Sequence, residues 1–233
     1  MTVKIMDKIL VVAAHPDDEV LGCGGTIAKY SKSGRSVYCL ILGEGATSRY
    51  ASRKKADFNK VRDLKKQAKE AGRILGIKEI FFSDFPDNSF DSVPILKIIK
   101  EIKRIKDIIG PGIIYTHHYG DLNIDHSIVY KAVLTACRPL KDESVREIYS
   151  FEVPSSTEWH GPDKEASFIP DRFIDISKTI EKKIEALRCY KKELRPYPHP
   201  RSVKGIRVLA SKRGMETGLK FAESFETIRA IVR

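Results

Sequence analysis

The sequence predicts an α/β protein of the Rossmann-like, doubly wound kind: a mostly parallel sheet with helices on both faces. Three observations support this. Short apolar runs lack the alternation of half-buried strands, so each reads as a strand covered on both faces. Each is followed by a longer segment with helical spacing. This alternation persists through about the first 150 residues, the pattern of a parallel sheet built from β-α units.

The elements follow in order. Lys8–Ala14 (KILVVAA) is the first buried strand, and a helix runs from about Asp17 to Ser33, ended by Gly34. Ser36–Leu42 is the second strand, followed by a long helix from about Lys54 to Leu75 that stops at Gly76. Glu79–Phe82 is a third strand, and Pro94–Ile109 a helix with isoleucines at helical spacing. Gly112–Thr116 is a fourth strand, Asp125–Cys137 a helix and Glu147–Glu152 a fifth strand. Beyond these, a strand near Arg172–Ile176 precedes a helix from Ser177 to about Leu194. A Pro-rich loop, Arg195–Arg201, leads to a helical stretch from Val203 into Lys212. The loop Ser155–Pro170 carries the only tryptophan, Trp159, beside His160, and is long enough to face substrate or act as a lid. One domain over 1–233 is expected, with its core in about 1–152 and a C-terminal elaboration in about 153–233.

Composition narrows the class. With 233 residues, 42% of them hydrophobic, the chain can bury one sizeable core. No run of about 18 apolar residues is present, so no membrane-spanning helix is expected. Ile9–Ala14 is too short for a signal-peptide core, and a cytoplasmic protein is expected. Cys23, Cys39, Cys137 and Cys189 form no Cys-x-x-Cys pair, which argues against a disulfide framework and a structural zinc knot. The formal charge of +11 could attract an anionic partner, but pairs such as Lys54-Lys55 and Lys65-Lys66 lack interleaved aromatics and read as solvated faces. No nucleic-acid partner is therefore expected; a homo-oligomer is left open.

The chemistry concentrates in two segments. His15-Pro16-Asp17-Asp18-Glu19 directly follows the first strand, where ligands of doubly wound sheets bind. Proline and acids also make a good helix start, but that leaves His15 unexplained. The second segment, His117 to His126 (HHYGDLNIDH), follows the fourth strand. In the common strand orders, strands one and four are neighbours across the switch point, so both segments would overhang one crevice. His15, Asp18 and His126 then supply a two-histidine, one-carboxylate set, which suits a catalytic zinc with an open position for water; iron(II) suits the same set. Asp17, beside a ligand but free to point elsewhere, fits the general base on that water. Glu19 and Asp125 either orient ligand imidazoles or are helix-start acids.

Other motifs point elsewhere or nowhere. Gly22-Cys23-Gly24-Gly25 has the wrong spacing for a dinucleotide fingerprint and follows an acidic helix start; these glycines suit close helix-to-sheet packing. Arg49, after the second strand, could contact a substrate phosphate or carboxylate, or be a solvated loop residue. No Gly-x-Ser-x-Gly elbow is present.

The string Ala14 to Glu19, then Gly24-Gly25-Thr26, then Asp125-His126, resembles the PIG-L/LmbE-like N-deacetylases, zinc enzymes of Rossmann-like fold acting on N-acetylglucosamine-type substrates. Pro86-Asp87, Arg213-Gly214 and Ala222 to Phe225 extend the likeness weakly. The resemblance implies His15, Asp18 and His126 as metal ligands, Asp17 as base and Asp87 near the sugar. Many relatives carry a histidine where this chain has Asn123, which can donate a hydrogen bond but cannot shuttle a proton near neutral pH. His199, in Pro198-His199-Pro200, is the candidate replacement acid, with His118 next. The expected activity is metal-dependent hydrolysis of the acetamide of a GlcNAc-like sugar or conjugate. The alternatives are another amide, such as a sugar–thiol conjugate, or a non-catalytic basic nucleic-acid-binding module.

Overall fold

The computed structural model describes residues 7–232. Strand β1 (Lys8–Ala13) leads into α1 (Asp18–Lys32), β2 (Ser36–Gly43), α2 (Phe58–Leu75) and β3 (Glu79–Phe85). Helix α3 (Ile95–Ile109), β4 (Ile113–His117), α4 (Ile124–Ala136) and β5 (Glu147–Phe151) complete the alternating part. After β6 (Arg172–Asp175) come α5 (Ile180–Leu187), α6 (Val203–Met215) and β7 (Ala222–Ala230). The strands form one seven-stranded sheet in the order β3-β2-β1-β4-β5-β7-β6. The first five run parallel, and β7 pairs antiparallel with both β5 and β6. The doubly wound α/β class expected from the sequence is the one observed. Among the described residues no helix is long and apolar enough to cross a membrane.

Burial on two faces explains the apolar runs. Along β1, Ile9, Val11 and Ala13 pack into one layer, with residues of α1, α2 and α5, while Leu10 and Val12 pack into the other, with α3 and α4. The chain leaves β1 for β2 on one side and returns to β4 on the other, so the reversal lies between β1 and β4. A crevice opens there, beyond the carboxyl ends of both strands.

Three expectations need correction. The helix expected over Ser177–Leu194 is confined to α5, Ile180–Leu187. The long helix begins at Phe58 rather than Lys54, because Asp57 caps it by accepting from the Asn59 N–H. Strand β7 was not anticipated. Its sequence AESFETIRA carries two glutamates, which argue against a strand paired on both sides. Each glutamate has a partner. Helix α1 is broken at Cys23, and the Glu223 carboxylate accepts from the Gly25 and Thr26 N–H groups beyond that break, at 2.9 and 2.7 Å. Lys183 Nζ lies 2.6 Å away and neutralises it. Glu226 accepts from Ser150 Oγ at 2.9 Å and from the Ile169 N–H at 2.7 Å.

The glycines of α1 let the helix lie close on the sheet, as the sequence suggested. A Cβ on Gly22 would stand 2.2 Å from the Phe151 ring, and one on Gly25 would stand 2.8 Å from Ile176. Gly22→Ala is therefore expected to cost about 1–3 kcal/mol, as overpacking of a dense core does. Urea titration checks it: a lowered midpoint at unchanged slope is expected, and an unmoved midpoint would show the interface is looser than described.

Candidate metal and active site

Two turns meet at the crevice, one after β1 and one between β4 and α4. His15 leaves β1 just past Ala14, whose carbonyl accepts from the Gly43 N–H at 2.7 Å and keeps the turn against β2. Asp17 has φ 112°, unusual for a side-chain-bearing residue and a local strain. That strain is held by its surroundings. The Asp17 carbonyl accepts from Val20 and Leu21, starting α1, and its own N–H donates to Glu19 Oε2 at 3.0 Å. Glu19 also accepts a short hydrogen bond from the Tyr190 hydroxyl. Of the two roles open to Glu19, orienting an imidazole or serving the helix start, the second fits its contacts: it fixes the turn that presents Asp17. Burial raises the Glu19 carboxyl to about 7, against the pull of the Tyr190 bond.

Asp18 is the centre of the cluster. Its Oδ2 accepts from the His15 N–H at 2.9 Å and lies 3.4 Å from His15 Nδ1 and 3.2 Å from His126 Nε2. Burial would raise its pKa, but His126, His117 and His15 together hold it well below the usual carboxylate range. Each histidine has its far nitrogen on a carboxylate: His15 Nε2 is 2.9 Å from Asp125 Oδ2, and His126 Nδ1 is 3.0 Å from Asp121 Oδ2. Asp125 is anchored in turn by the Phe90 N–H at 2.9 Å, and Asp121 by the hydroxyls of Ser156 and Thr157. A carboxylate behind each imidazole fixes the tautomer and turns the opposite lone pair toward Asp18.

Three groups of buried side chains in the crevice have the spacing of metal ligands: His15, Asp18 and His126; His117, Asp121 and His126; and His15, Asp87 and Asp125. The first fits a cation best. Ligands about 2.0–2.2 Å from a tetrahedral zinc stand roughly 3.3 Å from each other, close to the two distances at Asp18 Oδ2. His126 Nε2 is buried and has no hydrogen-bond partner among the described residues, which a bound cation would supply. The second group is weakened because His117 Nε2 already accepts from the Ala14 N–H at 2.8 Å. Burial holds His117 neutral, well below its ordinary pKa, with the stacked His126 ring adding to the effect. The third would take His15 by Nε2, the nitrogen already given to Asp125.

The cluster forms the floor of a cleft of about 460 Å³, whose walls include Asp17, Ser48, Asp87, Asn123 and Arg201. Asp87 Oδ1 stands 3.3 Å from His15 Nε2, and its Oδ2 accepts from the Ser48 N–H at 3.1 Å. Asn123 caps α4, its Oδ1 accepting from the Asp125 N–H at 3.0 Å while Nδ2 donates to Asn88 Oδ1 at 2.9 Å. Arg49 stands at the lip, half-exposed, 2.7 Å from Glu193 Oε1.

Both histidines nominated as the proton donor are turned away. His118 is enclosed behind β4, with Nδ1 2.7 Å from Glu226 Oε2 and Nε2 2.9 Å from the Ala166 carbonyl, so neither a substrate contact nor an acid role is open to it. His199 accepts from the Arg201 N–H through Nδ1 at 3.1 Å, packs edge-on to Trp159 and is not among the cleft residues. The Pro-rich loop does reach the cleft, through Arg201: its Nη1 lies 2.8 Å from Asp17 Oδ2. Sequence reasoning missed Arg201, and in a chain with 42 lysines and arginines no local signal marks it. It also gave Asp121 no role, although Asp121 stands five residues before His126 in the same loop.

Fold and site together define a doubly wound α/β protein with a buried His/Asp cluster at its switch point that has the spacing of metal ligands. The family model described as PIG-L, GlcNAc-PI de-N-acetylase, matches residues 10–137, more than half of the chain. The chain belongs to this family of deacetylases, which are amide hydrolases. The diacetylchitobiose deacetylase of Thermococcus kodakarensis is 27% identical, over 96% of this chain and 84% of its own length. The 4-oxalmesaconate hydratase of Pseudomonas putida is 28% identical, over 77% of this chain and 71% of its own. Among solved structures, N,N'-diacetylchitobiose deacetylase from Pyrococcus horikoshii superposes with a TM-score of 0.75 at 20% identity, covering 96% of this chain and 84% of that one, a likeness of fold.

Proposed function

We propose that this chain is a metal-dependent N-deacetylase that hydrolyses the acetamide of a GlcNAc-like sugar or sugar conjugate. The observation that carries the reading is the convergence of His15 Nδ1 and His126 Nε2 on Asp18 Oδ2, at 3.4 and 3.2 Å, on the floor of a cleft walled by Asp17. His15, Asp18 and His126 would hold the cation; two imidazoles and one carboxylate favour zinc and also suit iron(II). The cation, when bound, acidifies water and polarises the acyl carbonyl. Asp17 accepts the proton from the attacking water. With His118 and His199 turned away, the same carboxyl group returns that proton to the departing amine. Asp87, Asn123 and Arg49 line the path a sugar would take, offering acceptors and donors for its hydroxyls.

The test is release of primary amine from N-acetylglucosamine, N,N'-diacetylchitobiose and N-acetylglucosaminides with anionic or thiol-bearing aglycones, alongside metal analysis of protein purified without chelator. Amine release from at least one, abolished by chelator and restored by zinc or iron(II), is expected. The relative named 4-oxalmesaconate hydratase sets the competing reaction: hydration of 4-oxalmesaconate with no amine released from any amide would replace this reading. Salt-sensitive nucleic-acid binding by protein without stoichiometric metal would replace both.

A further inference from the structure

We propose that Arg201 is a catalytic residue of this cleft, contacting the acyl oxygen of the amide and stabilising the negative charge that forms there. The inference rests on the deacetylase reading and adds a residue to it.

The side chain is fixed from two directions. Its Nε donates to the Pro154 carbonyl at 3.2 Å and to Ser155 Oγ at 2.9 Å, just past β5, and its Nη1 donates to Asp17 Oδ2 at 2.8 Å. A guanidinium is planar, so anchoring Nε and Nη1 also sets the direction of Nη2. Nη2 has no hydrogen-bond partner among the described residues, and the side chain keeps 21% of its surface open, in the cleft that Asp17, His15 and His126 share. A brace between two loops would need only the anchored atoms; a cation that lines the cleft with a donor to spare is what an oxyanion requires. Of the other donors that line the cleft, the Asn123 amide already donates to Asn88, and Arg49 stands farther out, at the lip against Glu193.

In the step, the water oxygen bonds to the acyl carbon, and the π pair of the carbonyl moves onto the acyl oxygen. Asp17 holds the proton taken from water. Arg201 keeps its own protons, because burial opposes its charge but Asp17 and Asp18 prevail and raise its pKa further, and it acts by hydrogen bonding alone. When the intermediate collapses, the C=O bond re-forms, the C–N bond breaks and the nitrogen takes the proton from Asp17. That collapse yields acetic acid and the neutral amine, and the acid's remaining proton then passes to the amine, so an N-acetyl amine and water become acetate and the ammonium form of the amine.

The experiment compares the wild type with Arg201→Ala and Arg201→Lys, all as full-length protein loaded with metal to equal stoichiometry. Arg201→Ala is expected to lower kcat about 10²–10³-fold, the effect of removing one oxyanion donor, with KM changed only a few-fold. Affinity for a methylphosphonamidate of the amino sugar, a tetrahedral anion, should fall by a factor similar to the loss in kcat/KM, whereas affinity for the free amino sugar should not. Millimolar guanidinium, well below denaturing levels, should restore part of the Arg201→Ala rate. Arg201→Lys, which keeps the charge but not the fork, should fall between the two, and it carries the same measurements if the alanine variant fails to fold. An unchanged kcat, or a loss confined to KM, overturns the assignment while leaving the deacetylase reading intact. A metal-loaded wild type that releases no amine from any N-acetyl sugar overturns both.

Discussion

Asp17→Asn is expected to keep the metal and lose most of the turnover. The argument starts from the environment of the carboxylate. Burial raises its pKa well above the usual value; Arg201 pulls it down, while Asp18, Glu193 and Glu19 push it up. A carboxylate made more basic in this way, at the wall of the cleft rather than among the three converging ligands, is suited to take a proton from water near neutral pH. Asparagine fills the same space and can still accept from Arg201, so the strained turn at Asp17 should survive. A fall in kcat of about 10²–10⁴-fold is expected, the range that general-base catalysis contributes. Metal content should match the wild type. The pH profile gives a second reading. In the wild type kcat/KM should rise with pH through the raised pKa of the base, and that acid limb should disappear in the variant. Full activity in Asp17→Asn would remove the base from the mechanism, and loss of the metal would move Asp17 into the ligand set.

How much of this was legible beforehand depended on whether a contact is local in sequence. The order of β1 to β5, their parallel pairing and the meeting of the two turns followed from apolar runs and their helical spacers, because strands buried on both faces leave an unbroken apolar record. His15, Asp18 and His126 stood out because each lies in the turn after a strand or in the first turn of the helix that follows, and the structure brings these three side chains together. The antiparallel addition at β7 left no such record. Glu223 and Glu226 belong there only because Gly25, Thr26, Lys183, Ser150 and Ile169 satisfy them, and those partners are fixed by tertiary structure. Glu19 was left between two roles for a related reason. A carboxylate next to a ligand motif invites a ligand-orienting role, but its partner, Tyr190, is 171 residues away. The residues behind the imidazoles proved to be Asp125 and Asp121. Arg201 and His199 show the same limit at the site itself: two residues apart on one stiff loop, one points into the cleft and the other away, and spacing alone does not say which.

The second large effect is on metal retention. His126→Ala is expected to abolish stoichiometric metal binding, since it removes an imidazole whose Nε2 is buried without a hydrogen-bond partner among the described residues and leaves only His15 and Asp18 of the three. His15→Ala should do the same. Asp121→Asn supplies the contrast: it leaves all three ligands and weakens only the grip on His126, for which a loss of about 10–100-fold in affinity is expected. The metal-free site also dictates a pH dependence. Burial opposes protonation of His15, but Asp125, Asp18 and Asp87 prevail and raise its pKa to about 10; Asp18 and Asp121 likewise raise His126 to about 9. Below pH 9 both rings therefore carry protons that the cation must displace. Affinity should climb with pH by about a hundredfold per unit while two protons leave, flattening above pH 9–10. Calorimetry in buffers of different ionisation enthalpy counts those protons directly. Near two for the wild type and at most one for any metal that His126→Ala still takes up would tie the cation to this pair of imidazoles, whereas wild-type stoichiometry in His126→Ala would place it among other side chains.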